Sequence, residues 1–205
     1  MRINGDAWTL ILAGFWNRRI FTPEWLKENL NIVGDIGLEM ILAQGAIGPR
    51  MLFEGLRMQV ASQRIVLSPT ELSDGVIQRM EAVGVALLER LPHTPISAVG
   101  VNFQFVEETP AQSLLQLFEF ADNAKLADAG FVLRDTQVTR KLIHNDEIVN
   151  LTFVLNSAGR LTIDFNFHTD TTNPTAAAAA LTGRLLQHRE TALGLLTQTY
   201  QLHQD

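Results

Sequence analysis

Two stretches of the chain share one pattern, in which apolar and polar residues alternate on both sides of a short polar turn. The first stretch is LRMQVASQRIVLSP, residues 56–69, and the second is LTFVLNSAGRLTIDF, residues 151–165. A period of two places the apolar side chains on one side of a strand and the polar side chains on the other. Each stretch therefore predicts a β-hairpin with one buried face and one polar face.

The likeness between these hairpins has two explanations: chance, because strand–turn–strand patterns are common, or duplication of one unit. The order of predicted elements favours duplication. In each half a first strand ends at a Thr-Pro pair, Thr22-Pro23 or Thr109-Pro110, and threonine followed by proline suits the start of a helix. Three strands and a second helix then follow. We therefore predict two α+β halves, residues 1–92 and 93–205, that share one continuous sheet.

The other predicted elements follow from periodicity. Apolar residues at three- and four-residue steps predict a helix over 73–91, and the alanine-rich segment 171–203 predicts one long helix. On that helix we expect His188 and His203 to be surface-exposed or close to the helix end. Alternating or continuous apolar runs predict strands at 7–15, 36–42, 96–106, 131–143, 148–155 and 161–168.

Strands with one apolar face, together with amphipathic helices that can cover it, predict a two-layer α+β sandwich. We expect a mainly antiparallel curved sheet with helices on one face. This element order resembles the TATA-box-binding-protein-like fold, which repeats a strand–helix–strands–helix unit and forms a saddle. The resemblance covers most of the chain and lies in element order alone, with no shared motif. The charge of this chain departs from that family, so its DNA-binding role is not carried over.

Composition excludes several classes of protein. The chain has 16 basic and 22 acidic residues, and this net charge of -6 opposes the concentrated positive surface that nucleic acids require. The absence of cysteine excludes disulfide scaffolds, cysteine-based metal sites and cysteine nucleophiles. No apolar run approaches the roughly 20 residues of a membrane span, and the first residues do not resemble a signal peptide. We expect a cytoplasmic protein that binds no membrane.

Motifs that carry chemistry do not occur in the sequence. It has no Gly-x-Ser-x-Gly elbow, no phosphate-binding loop, no HExxH and no Gly-x-Gly-x-x-Gly. We therefore expect no metal and no cofactor, and we favour a role other than catalysis.

The uncovered sheet face of the second half is expected to be polar. Asp164 and His168 share that face but lie about 13 Å apart along one strand, too far for direct contact. A solvated polar face is therefore a simpler interpretation of Asp164 and His168 than a catalytic pair. The candidate ligand- or partner-binding residues are Asn102, Gln104, Asn150, Thr152, Asp164, Asn166 and His168.

The same face of the first half is expected to be more apolar, with Ile11, Phe15 and Ile41 exposed. An exposed apolar sheet face needs a cover. The segment GFWNRR adds further candidates, because aromatic and arginine side chains are favoured anchors of protein interfaces. The predicted interface residues are Ile11, Phe15, Trp16, Arg18, Arg19 and Ile41.

These observations support three hypotheses of function. The first is a non-catalytic protein-binding or assembly module whose open sheet face contacts another protein or a second copy of the chain. The second is a small-molecule or enzymatic site on the polar face of the second half. Nucleic-acid binding is the third and the least supported, because the chain is acidic.

Overall fold

The computed structural model describes residues 1–40, 49–145 and 147–204, and within them ten strands form one sheet. The strands are β1 (Arg2–Ile3), β2 (Thr9–Gly14), β3 (Gly37–Glu39), β4 (Arg50–Phe53), β5 (Leu56–Val60), β6 (Arg64–Pro69), β7 (Ile96–Glu107), β8 (Asp135–His144), β9 (Glu147–Asn156) and β10 (Leu161–Asp170). The helices are α1 (Pro23–Leu30), α2 (Asp74–Arg90), α3 (Gln112–Leu115), α4 (Asn123–Asp128), α5 (Pro174–Leu181) and α6 (Leu185–Tyr200).

The strand order runs β3-β4-β5-β6-β2-β7-β10-β9-β8, and the short β1 also pairs with β7. Each of the pairings is antiparallel. β2 and β7 meet at the centre, so strands from before and after residue 92 belong to one sheet. The proposed tandem repeat stays a prediction, because strand order alone does not test whether the two halves superpose.

The helices cover one side of this sheet. α2 packs on β2 and β6 and against α1, α5 and α6, while α5 and α6 pack on β7. Alternate strand residues on that side are buried in one continuous apolar core, as the sequence periodicity requires. The predicted two-layer α+β sandwich is therefore confirmed. None of the helices in the described ranges is both long enough and apolar enough to cross a bilayer.

Glycine permits a close helix–sheet contact in the middle of α2. A Cβ atom on Gly84 of α2 would lie 2.6 Å from a methyl carbon of Leu10 on β2 and 2.9 Å from one of Leu181 on α5. Such distances are well inside van der Waals contact, so any larger residue would push the two layers apart. Gly84 therefore sets how closely α2 lies over the centre of the sheet.

Three predicted elements differ from the structure. The long C-terminal helix is divided, because the chain turns at Gly183, whose φ of +75° suits glycine, and α6 starts two residues later. The strand expected from residue 131 starts at Asp135, since the apolar residues before it are not paired. The strand expected at 36–42 is observed as β3 alone; residues 41 and 42 lie outside the described residues.

Candidate functional site on the open sheet face

The side of the sheet that faces away from the helices, called here the open face, carries a row of hydrogen-bonded amides. The Asn150 side chain donates to Asn166 at 2.9 Å, Asn166 donates to Asn102 at 2.8 Å, and Asn102 donates to the Thr9 hydroxyl at 2.9 Å. These residues come from β9, β10, β7 and β2, and they are direct cross-strand neighbours. We call this set of four residues the amide row. It crosses the centre of the sheet and joins its two halves.

A second polar row lies beside the amide row, two residues along each strand. The Gln104 side chain donates to Asp164 at 2.7 Å and accepts from the Asn4 side chain. Thr152 lies directly across from Asp164 on β9, and its hydroxyl is 3.1 Å from that of Thr139 on β8. The open face thus continues as hydrogen-bonded polar side chains as far as the last strand.

Asp164 is a titratable group of the open face whose pKa is shifted by its surroundings. Partial burial among the two polar rows raises the pKa of the Asp164 carboxyl above its ordinary value, although the hydrogen bond from Gln104 acts in the opposite direction. A carboxylate with a raised pKa can hold a proton or accept a hydrogen bond from a ligand. Asp164 is therefore the residue of the open face best suited to acid–base chemistry.

His168 lies at the end of the same strand, and its Nε2 is 2.9 Å from the Asp170 carboxylate. The residue opposite His168 on β7 is Gly100, and the residue opposite Asp170 is Ala98. Neither neighbour supplies a nucleophile.

A Cβ atom on Gly100 would make only ordinary contacts, at 3.5 Å to the Asn166 amide and 3.9 Å to Ile11. Gly100 therefore lies at the centre of the open face, between Asn166 and Ile11, and a side chain there would project onto that face.

The first half of the open face is less apolar than the sequence pattern indicates. A depression of about 460 Å³ lies there, and Arg57 in it is 3.2 Å from the Asp6 carboxylate. Arg50 lies directly across from Glu39. Arg50 and Arg57 come from β4 and β5, Glu39 comes from β3, and Asp6 precedes β2, whereas the prediction of an apolar face was based on the first strand and residue 41. The depression is lined by Asp6, Thr9, Glu39, Arg50, Arg57, Gln59, Val66 and Ser68.

The predicted interface residues do not all reach the surface. Phe15 is 70% exposed just beyond β2, and Ile11 is partly exposed beside Val66, its neighbour on β6. Arg18 and Arg19 are exposed. Ile41 lies outside the described residues.

Trp16 differs from the other members of the predicted interface because it is a core residue. Only 5% of it is exposed, and its indole nitrogen donates to the Leu12 carbonyl at 3.0 Å. Its ring packs edge-on against Phe21. The alternation of buried and less buried residues in β2 continues through Phe15, so Trp16 lies on the same covered side as Leu10 and Leu12. Trp16 therefore belongs to the hydrophobic core and not to the proposed surface.

His188 on α6 is a buried polar residue that the sequence pattern places on the surface. Only 6% of it is exposed; its ring stacks on Phe167, and its Nε2 is 2.9 Å from the Glu147 carboxylate. Burial lowers the pKa of His188, and the neighbouring Glu147 partly opposes that shift. Nδ1 is buried without a hydrogen-bond partner in the described part of the chain. The expected exposure of His188 was wrong, because α6 turns this side of its surface toward β9 and β10.

Six of the seven predicted open-face residues lie side by side in the two polar rows, and His168 lies in the next position along β10. The sequence does not indicate Thr9, Asn4 or the two arginines of the depression. Among the described residues no group of three or more His, Asp or Glu side chains could hold a metal ion.

No protein-family model matches the chain, and no curated protein is significantly similar to it.

Proposed function

We propose that this protein is a non-catalytic protein-binding module whose open face is the docking surface. The observation that carries the proposal is the amide row, which crosses four strands on the side of the sheet that no described helix covers. Side-chain amides and hydroxyls present the same donors and acceptors as a polypeptide backbone. A polypeptide laid across the row could therefore bind through its main chain.

The surroundings of the amide row support a protein partner. Ile11 and Val66 are neighbouring, partly exposed apolar residues next to the row, and Arg57 lies in the adjacent depression. Protein interfaces combine an apolar centre with arginine and a polar rim. Arginine can pair with the carboxylates of a partner in a bidentate manner. The net charge of -6 disfavours a polyanion as the occupant of this surface.

The chemistry of the open face also favours binding over catalysis. The His168–Asp170 pair faces Gly100 and Ala98, so its immediate neighbours offer no group for the imidazole to activate. Each amide of the row donates one of its two N–H groups within the row, which fixes its orientation, and it keeps further hydrogen-bonding capacity for a partner. The residues directly across from His168 and Asp170 on β7 therefore supply no nucleophile, which favours recognition of a partner over catalysis.

The test uses Gly100. Its backbone does not require glycine, and a Cβ there would make ordinary contacts with Asn166 and Ile11 without a clash, so Gly100→Trp should place a large ring over the centre of the docking surface. Gly75→Trp is the matched control, because Gly75 is exposed on α2 and a Cβ there meets no atom within 4 Å. Partners would be captured from an extract of the source cells, identified by mass spectrometry, purified and titrated calorimetrically against each variant.

We expect the purified partner to bind the wild type and Gly75→Trp with equal affinity and to lose binding to Gly100→Trp. Thermal unfolding would establish that both variants are folded. A partner that binds Gly100→Trp as tightly as it binds the wild type would overturn the docking role of the open face.

A second candidate function is supported by Asp164. The raised pKa of its carboxyl and its place between Gln104 and Thr152 suit a polar small molecule. In that case Asp164→Ala and His168→Ala should each abolish binding of the small molecule with little loss of stability. If both variants behave as neutral surface changes in every binding assay, the small-molecule site is excluded.

A further inference from the structure

One edge of the sheet is long and uncovered. β8 is the last strand in the order, spans Asp135–His144, and pairs on one side only, with β9. The opposite edge is the three-residue β3. A long edge strand presents unpaired backbone donors and acceptors that can pair with another strand. A short 3-10 helix, Gln116–Phe118, contacts β8, but most side chains of the strand remain exposed.

Apolar side chains are exposed at both ends of this edge. Just before β8, Phe131, Val132 and Leu133 are 66%, 90% and 44% exposed. Near its end, Ile143 is 78% exposed. Three consecutive exposed apolar residues and a fourth at the far end of one strand need a cover. An antiparallel partner strand places the beginning of one strand against the end of the other.

We propose that a second copy of this chain pairs with this edge, with β8 antiparallel to β8 and Val138 on the two-fold axis. This register places Asp135 across from Lys141 and Leu133 across from Ile143 of the second copy, and each pair occurs twice by symmetry. Directly opposed residues of antiparallel strands project to the same face. In this register the β8 strands of the two copies therefore have complementary charges and opposed apolar side chains.

Other registers lose this match. A shift of two residues in one direction brings Arg134 opposite Arg140 of the second copy, and like charges directly opposite one another are destabilising. A shift of two in the other direction places Asp135 opposite Ile143, and its carboxylate loses the lysine. Within one copy, the nearest cation to Asp135 is Arg134, which is 93% exposed and 4.0 Å away, the limit of an ion pair. The charges thus select a single register.

The same register closes a groove on the helix side of the edge. The groove has a volume of about 620 Å³, and Leu142, Val149 and Leu195 are among its lining residues. His144 also lines it, and Val132 of the second copy falls opposite His144 in the proposed pairing. The most exposed residue of the apolar segment would therefore cover the groove. The two open faces would lie on the same side of one extended sheet.

Charge exchange tests this pairing. Lys141→Asp places an aspartate opposite each Asp135 of the other copy. Asp135→Lys places a lysine opposite each Lys141 of the other copy. The dimer dissociation constant, measured by analytical ultracentrifugation, should rise by roughly tenfold or more in either single variant. The double variant Asp135→Lys/Lys141→Asp should restore the wild-type value. A mixture of the two single variants should form a heterodimer, because all its cross-strand pairs are again attractive.

Lys27→Asp is the matched control, because it makes the same charge change at an exposed position on α1, a helix that packs on α2. It should leave the dissociation constant unchanged. A wild type that stays monomeric at every accessible concentration overturns the proposal, and so does a dimer that both single variants form with unchanged affinity. Gly100→Trp does not alter β8, so loss of partner binding and loss of self-pairing are separate results.

Discussion

The two faces of the sheet are built from the same strands, yet their side chains satisfy opposite requirements. On the covered face, Phe103, Phe105 and Phe165 are almost completely buried and pack edge-to-face with one another or with Trp8. On the open face, the intervening residues Asn102 and Asn166 bond to each other. The covered face is where the fold gains most of its stability. The composition of the open face is therefore less restricted by folding and is available for recognition.

The largest expected effect comes from the covered face. Phe165→Ala should lower the free energy of unfolding by about 3–5 kcal/mol, because it removes a buried ring and leaves a cavity against Phe105. Chemical denaturation monitored by circular dichroism measures this change. A loss below about 1 kcal/mol would contradict the assignment of this face to the core.

His188, buried on the covered face, should make the stability of the folded protein sensitive to acid. Because the folded state lowers the pKa of His188, the unfolded state binds more protons below about pH 6.5 and stability falls as the pH falls. One such group contributes a slope of at most about 1.4 kcal/mol per pH unit. In His188→Gln, which keeps a donor for Glu147, this loss between neutral and acidic pH should be reduced. Denaturation at a series of pH values measures the slope.

His93→Gln is the control for that experiment, because His93 is exposed in the loop before β7. It should retain the wild-type slope. An identical slope in His188→Gln and the wild type would show that His188 does not resist protonation in the folded protein.

On the open face, Asn166→Ala should have a smaller effect. It leaves the acceptor of Asn102 and the donor of Asn150 without their partner, although water can replace it because the face is only partly buried. We expect a loss of about 1 kcal/mol in the free energy of unfolding. Asn150→Ala removes only the last hydrogen bond of the row and should cost less. Equal losses in the two variants would argue that the row does not act as a connected network.

Asp164→Asn should have the smallest effect and the opposite sign. The folded state raises the pKa of Asp164 above 3.8, so stability falls as the pH rises through the range above that value. Asparagine removes this loss and should increase stability at neutral pH by less than about 1 kcal/mol, since the side chain is partly exposed. The gain should vanish near pH 3.8. Destabilisation at neutral pH would mean that the charged form of Asp164 is needed by its neighbours.

Period-two alternation was sufficient to predict the sandwich and to place Asn102, Asn150 and Asn166 on the open face. It could not predict the amide row itself. The row depends on cross-strand register, and its last member, Thr9, is 93 residues from Asn102. The interface prediction for Trp16 was wrong because it used residue type alone; alternation along β2 places Trp16 with Leu10 and Leu12 on the covered side, where it is buried.

Helix periodicity had a similar limit. It does not show which side of α6 meets the sheet, so it could not predict that His188 is buried against Phe167. The prediction of an apolar first-half open face considered Ile11, Phe15 and Ile41, and it did not include Arg50 and Arg57, which neighbouring strands add to the same half. The docking role of the open face and the tandem repeat stay predictions.

Accessibility of the two faces can be measured directly, because the chain has no native cysteine. Thr152→Cys on the open face and Val149→Cys on the covered face lie three residues apart on β9. We expect a thiol reagent to modify the cysteine at position 152 in the folded protein and to reach the cysteine at position 149 only on unfolding. Equal protection of both positions in the isolated chain would contradict it, because the face assigned to docking would then already be covered.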